Sequence, residues 1–162
     1  MSMNNQREEA VFAAGCFWGV EDLLSQEKGV LETEVGYTGG HTENPTYEQV
    51  CGDGTGHAEA VMVVFDPTQI SYEELVRKFF KLHDPTTMNR QGPDVGSQYR
   101  SAIFYKTDEQ KNVALKVKQE LDEKKIYPNK IVTEIVKASE FYRAEEYHQK
   151  YFQKNGGGVC HV

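Results

Sequence analysis

The side chains with a chemistry to offer are three cysteines, one glutamate in an apolar run and five scattered histidines. Cys16 stands in Gly15-Cys16-Phe17-Trp18-Gly19, beside the chain's single tryptophan. Before it, Val11-Phe12-Ala13-Ala14 reads as a buried strand; after it, Val20, Leu23 and Leu24 fall on one side of a helix. Cys16 therefore falls where a strand ends and a helix begins. Backbone N–H groups and the positive end of the helix dipole favour a thiolate there. A buried structural cysteine is the plain alternative. Phe17 and Trp18 favour a nucleophile, because two adjacent large rings at such a junction cannot both easily turn into the core, and one or both can wall an apolar pocket beside the sulfur.

Cys160 lies third from the C-terminus, behind Gly156-Gly157-Gly158. It reads either as an exposed thiol of no consequence or as a resolving thiol on a mobile tail, able to attack a sulfenic acid elsewhere. Cys51, in Val50-Cys51-Gly52-Asp53-Gly54, is a second resolving candidate or an incidental loop cysteine. Glu59 breaks the apolar run Ala58–Phe65. It is either an exposed edge residue or a carboxyl in an apolar pocket, where desolvation keeps its proton on near neutral pH and makes it a general acid. Asp94, by composition alone, is a turn residue. His41, His57, His83, His148 and His161 have no metal-ligand spacing, and CxxC and HExxH are absent, so no metal is expected. The glycine-rich pieces Gly36–Gly40 and Gly52–Gly56 are followed neither by Lys-Ser/Thr nor by a helix, which argues against a nucleotide.

Charge and length narrow the classes further. Twenty-five acidic against 18 basic residues give a net charge of -7, which disfavours nucleic acid and an anionic membrane surface. No apolar run approaches the ~20 residues of a membrane helix. The N-terminus shows no secretory h-region. An odd number of irregularly spaced cysteines fits reduced thiols in the cytoplasm. The 162 residues suit one domain, 1–162, with a glycine-rich tail at 155–162 carrying Cys160.

The elements that must position these residues follow from periodicity. Strands are expected over 10–14, 31–37, 58–65, 99–105 and 131–136. Helices are expected from Cys16 to about Gln26, after Ser71 with Glu74 closing a capping box, over 108–124 after Thr107, and over 141–154. Two long polar loops, 38–56 and 84–98, are where sites tend to lie. The order strand, helix, strand, strand, helix, strand predicts an α+β, ferredoxin-like two-layer sandwich with a mixed, mainly antiparallel sheet, extra helices and a long irregular C-terminal tail.

Taken together, the segments resemble the A-type peptide methionine sulfoxide reductase family over most of the chain. The resemblance rests on Gly15-Cys16-Phe17-Trp18-Gly19, Gly36-Tyr37-Thr38-Gly39-Gly40, Thr55-Gly56-His57-Ala58-Glu59-Ala60-Val61 and His83-Asp84-Pro85-Thr86. Asn89-Arg90-Gln91-Gly92, Asp94-Val95-Gly96, Gln98-Tyr99-Arg100-Ser101, Glu146-Tyr147-His148-Gln149 and Cys160 complete it. It implies reduction of methionine-S-sulfoxide, free or in proteins, as repair after oxidative damage. Cys16 matches the family's nucleophile and Glu59 the acid that protonates the sulfoxide oxygen. Tyr37, Asp94 and Tyr99 match the polar groups around that oxygen; Phe17 and Trp18 match the wall receiving the S-methyl group, and His148 a position close to the site. Cys160 matches the recycling cysteine, which would pair with Cys16 in a disulfide reduced by thioredoxin. No cofactor is implied, and the protein is expected to act as a monomer. Two other readings stay open: a cysteine hydrolase or acyltransferase using His57 or His148, and a thiol-bearing binding or redox-sensing module that switches without turnover.

Overall fold

The computed structural model describes residues 7–52 and 54–155. Chain order is β1 (Glu8–Ala14), α1 (Phe17–Ser25), β2 (Val30–Thr38), α2 (Tyr47–Cys51), β3 (Ala58–Phe65), α3 (Tyr72–Lys81), β4 (Arg90–Gln91) and β5 (Asp94–Val95). It continues with β6 (Ser101–Tyr105), α4 (Asp108–Glu123), β7 (Glu134–Lys137), β8 (Tyr142–Arg143) and α5 (Tyr151–Asn155). Single 3-10 turns occupy Ser97–Tyr99 and Glu146–His148.

Among the described residues one sheet runs β7-β6-β1-β3-β2-β8. Its neighbours pair antiparallel except β6 with β7, which are parallel. The sheet is therefore mixed and mainly antiparallel, as expected. Strand alternation assigns its two faces. Ala10, Phe12 and Ala14 of β1, Val35 and Tyr37 of β2, and Val61, Val63 and Phe65 of β3 pack with α1, α3 and α4 in the main core. The other face is lined by smaller side chains, Ala13, Ala58, Ala60 and Ala102, with Val11 and Phe104. Gly39 crosses that face with φ of +89°, and a Cβ there would sit 2.8 Å from the Phe104 ring. Only a glycine fits so close an approach.

Both interior helices begin as the sequence suggests. Ser71 and Glu74 close a capping box at α3, and Thr107 caps α4. The two polar loops hold short elements that composition hides. α2 has its own capping box, Thr46 with Gln49, and β4 pairs with β5 in a small hairpin. The helix expected over 141–154 is not there. β8, a 3-10 turn and α5 replace it, and Lys150 breaks the segment with φ of +53°. The physical cause is Gln149, whose buried amide bonds the N–H and carbonyl of Val35 and the carbonyl of Ala144. Those bonds tie the segment to β2 more strongly than its own helical periodicity could hold it. Strand 131–136 starts later than expected, at Glu134, and strand 99–105 gives its first two residues to a turn and its cap. Among the described residues no helix is long and apolar enough to cross a membrane.

Candidate active site

The site forms where β1 hands over to α1. Gly15 has φ of +98°, which lets the chain reverse sharply out of the strand. Cys16 then stands at the N-cap of α1, half-buried, and its carbonyl accepts the N–H of Val20 at 3.4 Å. The next N–H, that of Phe17, does not point at solvent. It donates to Glu59 Oε1 at 3.2 Å.

Glu59 reaches this point because it lies opposite Tyr37 in the β2–β3 pairing and shares the helix-facing side with Val61 and Val63. It is 1% exposed, so the edge-residue alternative falls. Burial pushes its carboxyl up to about 8; the Phe17 N–H opposes this and the charge of Asp94 adds to it. At neutral pH Glu59 is a protonated, buried acid adjoining a cysteine.

The expected oxygen-facing groups come from three separate elements. Asp94 opens β5 in the hairpin after α3 and is close enough to Glu59 to act on it electrostatically. Tyr99 ends the following 3-10 turn. Its hydroxyl is held above its ordinary value by burial and then by the charges of Glu59, Cys51, Asp94 and Cys16, which makes it a steady donor among those groups. Tyr37 is fully buried, and its hydroxyl donates to Glu145 Oε1 at 2.9 Å. Its proton is thus committed away from Glu59. Cys51, at the end of α2, is exposed as a residue; partial desolvation on its inner side raises its thiol, the Tyr47 hydroxyl opposes this, and the Glu59 charge adds to it.

The aromatic pair divides its labour. Phe17 is buried in the main core, between the rings of Tyr37 at 5.7 Å and His148 at 5.2 Å. Trp18 is half-buried, lies flat on Tyr151 at 3.8 Å and 8°, and donates its indole N–H to His148 Nδ1 at 2.9 Å. So one ring of the pair does face the core, while Trp18 is the more exposed of the two. His148 is fully buried.

The histidine alternatives fare differently. His57 accepts the Gly40 N–H on Nδ1 at 3.0 Å and donates from Nε2 to the Thr42 carbonyl at 2.7 Å. Both nitrogens are spent on loop geometry, so His57 has no position left from which to deprotonate a thiol. His148 has Nδ1 occupied by Trp18. Among the described residues no group of three or more His, Cys, Asp or Glu could hold a metal ion. Cys160 and the tail at 156–162 lie outside the described residues, while Asn155, expected to begin that tail, closes α5.

Sequence reasoning missed Glu145, Tyr47 and Tyr151. Glu145 accepts from the Tyr37 hydroxyl and from the Tyr47 N–H, both at 2.9 Å. It was hidden inside a segment that reads as an exposed helical face. Tyr47 was hidden in a polar loop, although its Thr46-x-x-Gln49 capping signal was legible.

Comparison with known proteins shows the family. The family model for peptide methionine sulfoxide reductase matches residues 8–162. The peptide methionine sulfoxide reductase MsrA of Methanosarcina acetivorans is 63% identical over 149 residues, covering 92% of this chain and 79% of that protein. Among solved structures, reduced Mxr1 from Saccharomyces cerevisiae superposes with a TM-score of 0.91 at 38% identity, covering 100% of this chain and 94% of that one. Mxr1 in complex with Trx2 gives a TM-score of 0.66 at 26% identity, with 100% and 93% coverage. On that family match, and with a buried acid beside a cysteine at a helix start, the chain belongs to the peptide methionine sulfoxide reductase family.

Proposed function

We propose that this oxidoreductase reduces methionine-S-sulfoxide to methionine, with Cys16 as nucleophile and Glu59 as acid. The observation that carries the reading is Glu59: a buried carboxyl that holds its proton to about pH 8, bonded by the peptide N–H next to Cys16. A sulfoxide sulfur is electrophilic only when its oxygen is protonated or hydrogen-bonded, so an acid and a thiolate must act together. The Phe17 N–H on Oε1 favours the neutral carboxyl's proton on Oε2, where it is available to a ligand oxygen. Tyr99 donates to the same oxygen, and Asp94 helps keep Glu59 protonated. Trp18, backed by Phe17, receives the S-methyl group. Tyr37 lines the floor, keeping its own proton and donating its hydroxyl hydrogen bond to Glu145.

The bookkeeping of atoms closes without a cofactor. The Cys16 thiolate attacks sulfur, the sulfoxide oxygen takes the Glu59 proton and moves to Cys16, and methionine leaves with Cys16 as a sulfenic acid. The Cys160 thiol attacks that sulfenic acid, expelling water and forming a Cys16–Cys160 disulfide. A thioredoxin dithiol reduces it by exchange; the Mxr1 complex with Trx2 supports thioredoxin as partner. Residues 1–162 act as one reductase domain in this scheme. Selectivity for the S epimer follows from a methyl wall on one side and oxygen donors on the other, because the opposite epimer leaves buried polar groups unpaired.

The test is one assay. Each sulfoxide epimer is incubated with dithiothreitol and the wild-type or Cys16→Ser protein, and thiols are counted afterwards. The expected result is turnover of the S epimer alone, abolished in Cys16→Ser. Multiple turnover by Cys16→Ser would remove the mechanism.

A further inference from the structure

His148 and Glu145 take no step in the proposed chemistry, yet each is bonded to a residue that lines the site. An indole N–H can only donate, so the 2.9 Å bond from Trp18 requires a lone pair on His148 Nδ1. The proton of the neutral ring is then on Nε2. That atom is buried and has no hydrogen-bond partner among the described residues. Glu145 Oε1 lies 3.9 Å from it. Glu145 is itself fixed by the Tyr37 hydroxyl on Oε1 and the Tyr47 N–H on Oε2.

The ionisation states suit the arrangement. Burial alone would raise the Glu145 carboxyl, but hydrogen bonds from the backbone N–H groups of Tyr47 and Glu145 and from Tyr37 outweigh it, so it is ionised. Burial lowers His148; the Glu145 charge opposes this and Lys154 adds to it, so the ring is neutral. The rings of Tyr47 at 4.5 Å and Tyr147 at 4.0 Å complete its surroundings. A protonated ring would turn an Nδ1–H toward the indole N–H, donor against donor.

Trp18 needs this support. Its flat stack on Tyr151 fixes the plane of the indole but not its rotation within that plane. The bond to His148 fixes the rotation. We propose that His148 and Glu145 are positioning residues: the Glu145 carboxylate selects the Nε2–H tautomer of His148, and that tautomer locks the Trp18 indole at the angle at which it walls the space beside Cys16. What the wall receives rests on the function proposed above; the locking itself does not.

Trp18 is the chain's only tryptophan, so one indole N–H resonance reports on it directly. In wild type, a long-range proton–nitrogen spectrum of the imidazoles should give His148 as the Nε2–H tautomer. In Glu145→Gln and His148→Phe the indole N–H should move and exchange with solvent roughly tenfold faster, as expected for loss of one buried hydrogen bond. KM for methionine-S-sulfoxide should rise roughly tenfold in both variants while kcat changes less than about threefold. An Nδ1–H tautomer in wild type overturns the proposal without any variant having to fold. So does an unchanged indole signal in a folded Glu145→Gln. If wild type failed to reduce the sulfoxide, the two spectra would still decide the locking.

Discussion

Replacing Glu59 with glutamine should make the protein more stable and less active, and the gain in stability should depend on pH. The carboxyl ordinarily releases its proton at 4.5 and here holds it to about 8. Between those values the folded state keeps a proton that the unfolded chain has already lost. Folding therefore binds a proton, and stability falls as pH rises through the window, levelling off above the folded value. The gap is about 3.5 pH units, at about 1.4 kcal/mol each, so wild type loses at most about 5 kcal/mol across it. Local relaxation around a charged Glu59 brings the expected loss to about 2–5 kcal/mol. Glutamine is neutral throughout and keeps an oxygen for the Phe17 N–H. Urea unfolding of both proteins at pH 5 and pH 8.5, under dithiothreitol, measures the difference. Glu59→Gln should gain on wild type by about 2–5 kcal/mol between the two pH values. A stability difference constant to within about 0.5 kcal/mol would refute the reasoning, because it would mean that the wild-type carboxyl is already ionised in the folded protein. In single-turnover reduction the same variant should be about a hundred to ten thousand times slower, the usual worth of a positioned acid.

Other perturbations separate the remaining links. Wild-type single-turnover reduction should fall about tenfold per pH unit above pH 8, as the acid form of Glu59 is lost; a rate still level at pH 9.5 would count against it. Cys160→Ser should complete one turnover yet lose thioredoxin-dependent cycling, and undiminished steady-state rates with thioredoxin would end its resolving role. Gly15→Ala should lower stability by about 1–3 kcal/mol in urea unfolding, because alanine is strained at φ of +98°. Gln149→Ala should cost about 2–4 kcal/mol, since it removes three buried hydrogen bonds to Val35 and Ala144.

The contrast between Glu59 and Glu145 explains how far the sequence could be read. Glu59 interrupts a continuous run of apolar residues, so it was legible as a break in the pattern, while the choice between an exposed edge and burial waited on the pairing that sets it opposite Tyr37. Glu145 interrupts nothing: its neighbours Glu140, Arg143, Glu146 and Lys150 are charged as well, and only tertiary contacts with Tyr37 and Tyr47 set it apart. The same holds at the level of elements. The strands through Phe12 and Val61 and the capped helix after Ser71 declare themselves locally. The segment after Phe141 has helical spacing, but its conformation is decided by Gln149 bonding to a strand more than a hundred residues earlier. Cys16 lay between these cases. Its junction was readable, but the use of the Phe17 N–H was not, because that depends on which strand lies beneath α1.

That N–H has a consequence for how the enzyme tolerates change. The amide joining Cys16 to Phe17 carries the thiol-bearing Cα at one end and the donor to Glu59 at the other. In the proposed mechanism the backbone that carries the nucleophile is therefore tied to the acid through a rigid peptide plane rather than through a side-chain donor. No side-chain substitution can delete that donor, short of proline at position 17. The tie between β3 and the start of α1 thus persists through any change of side chain at position 17 other than proline, as long as the Glu59 oxygen is kept.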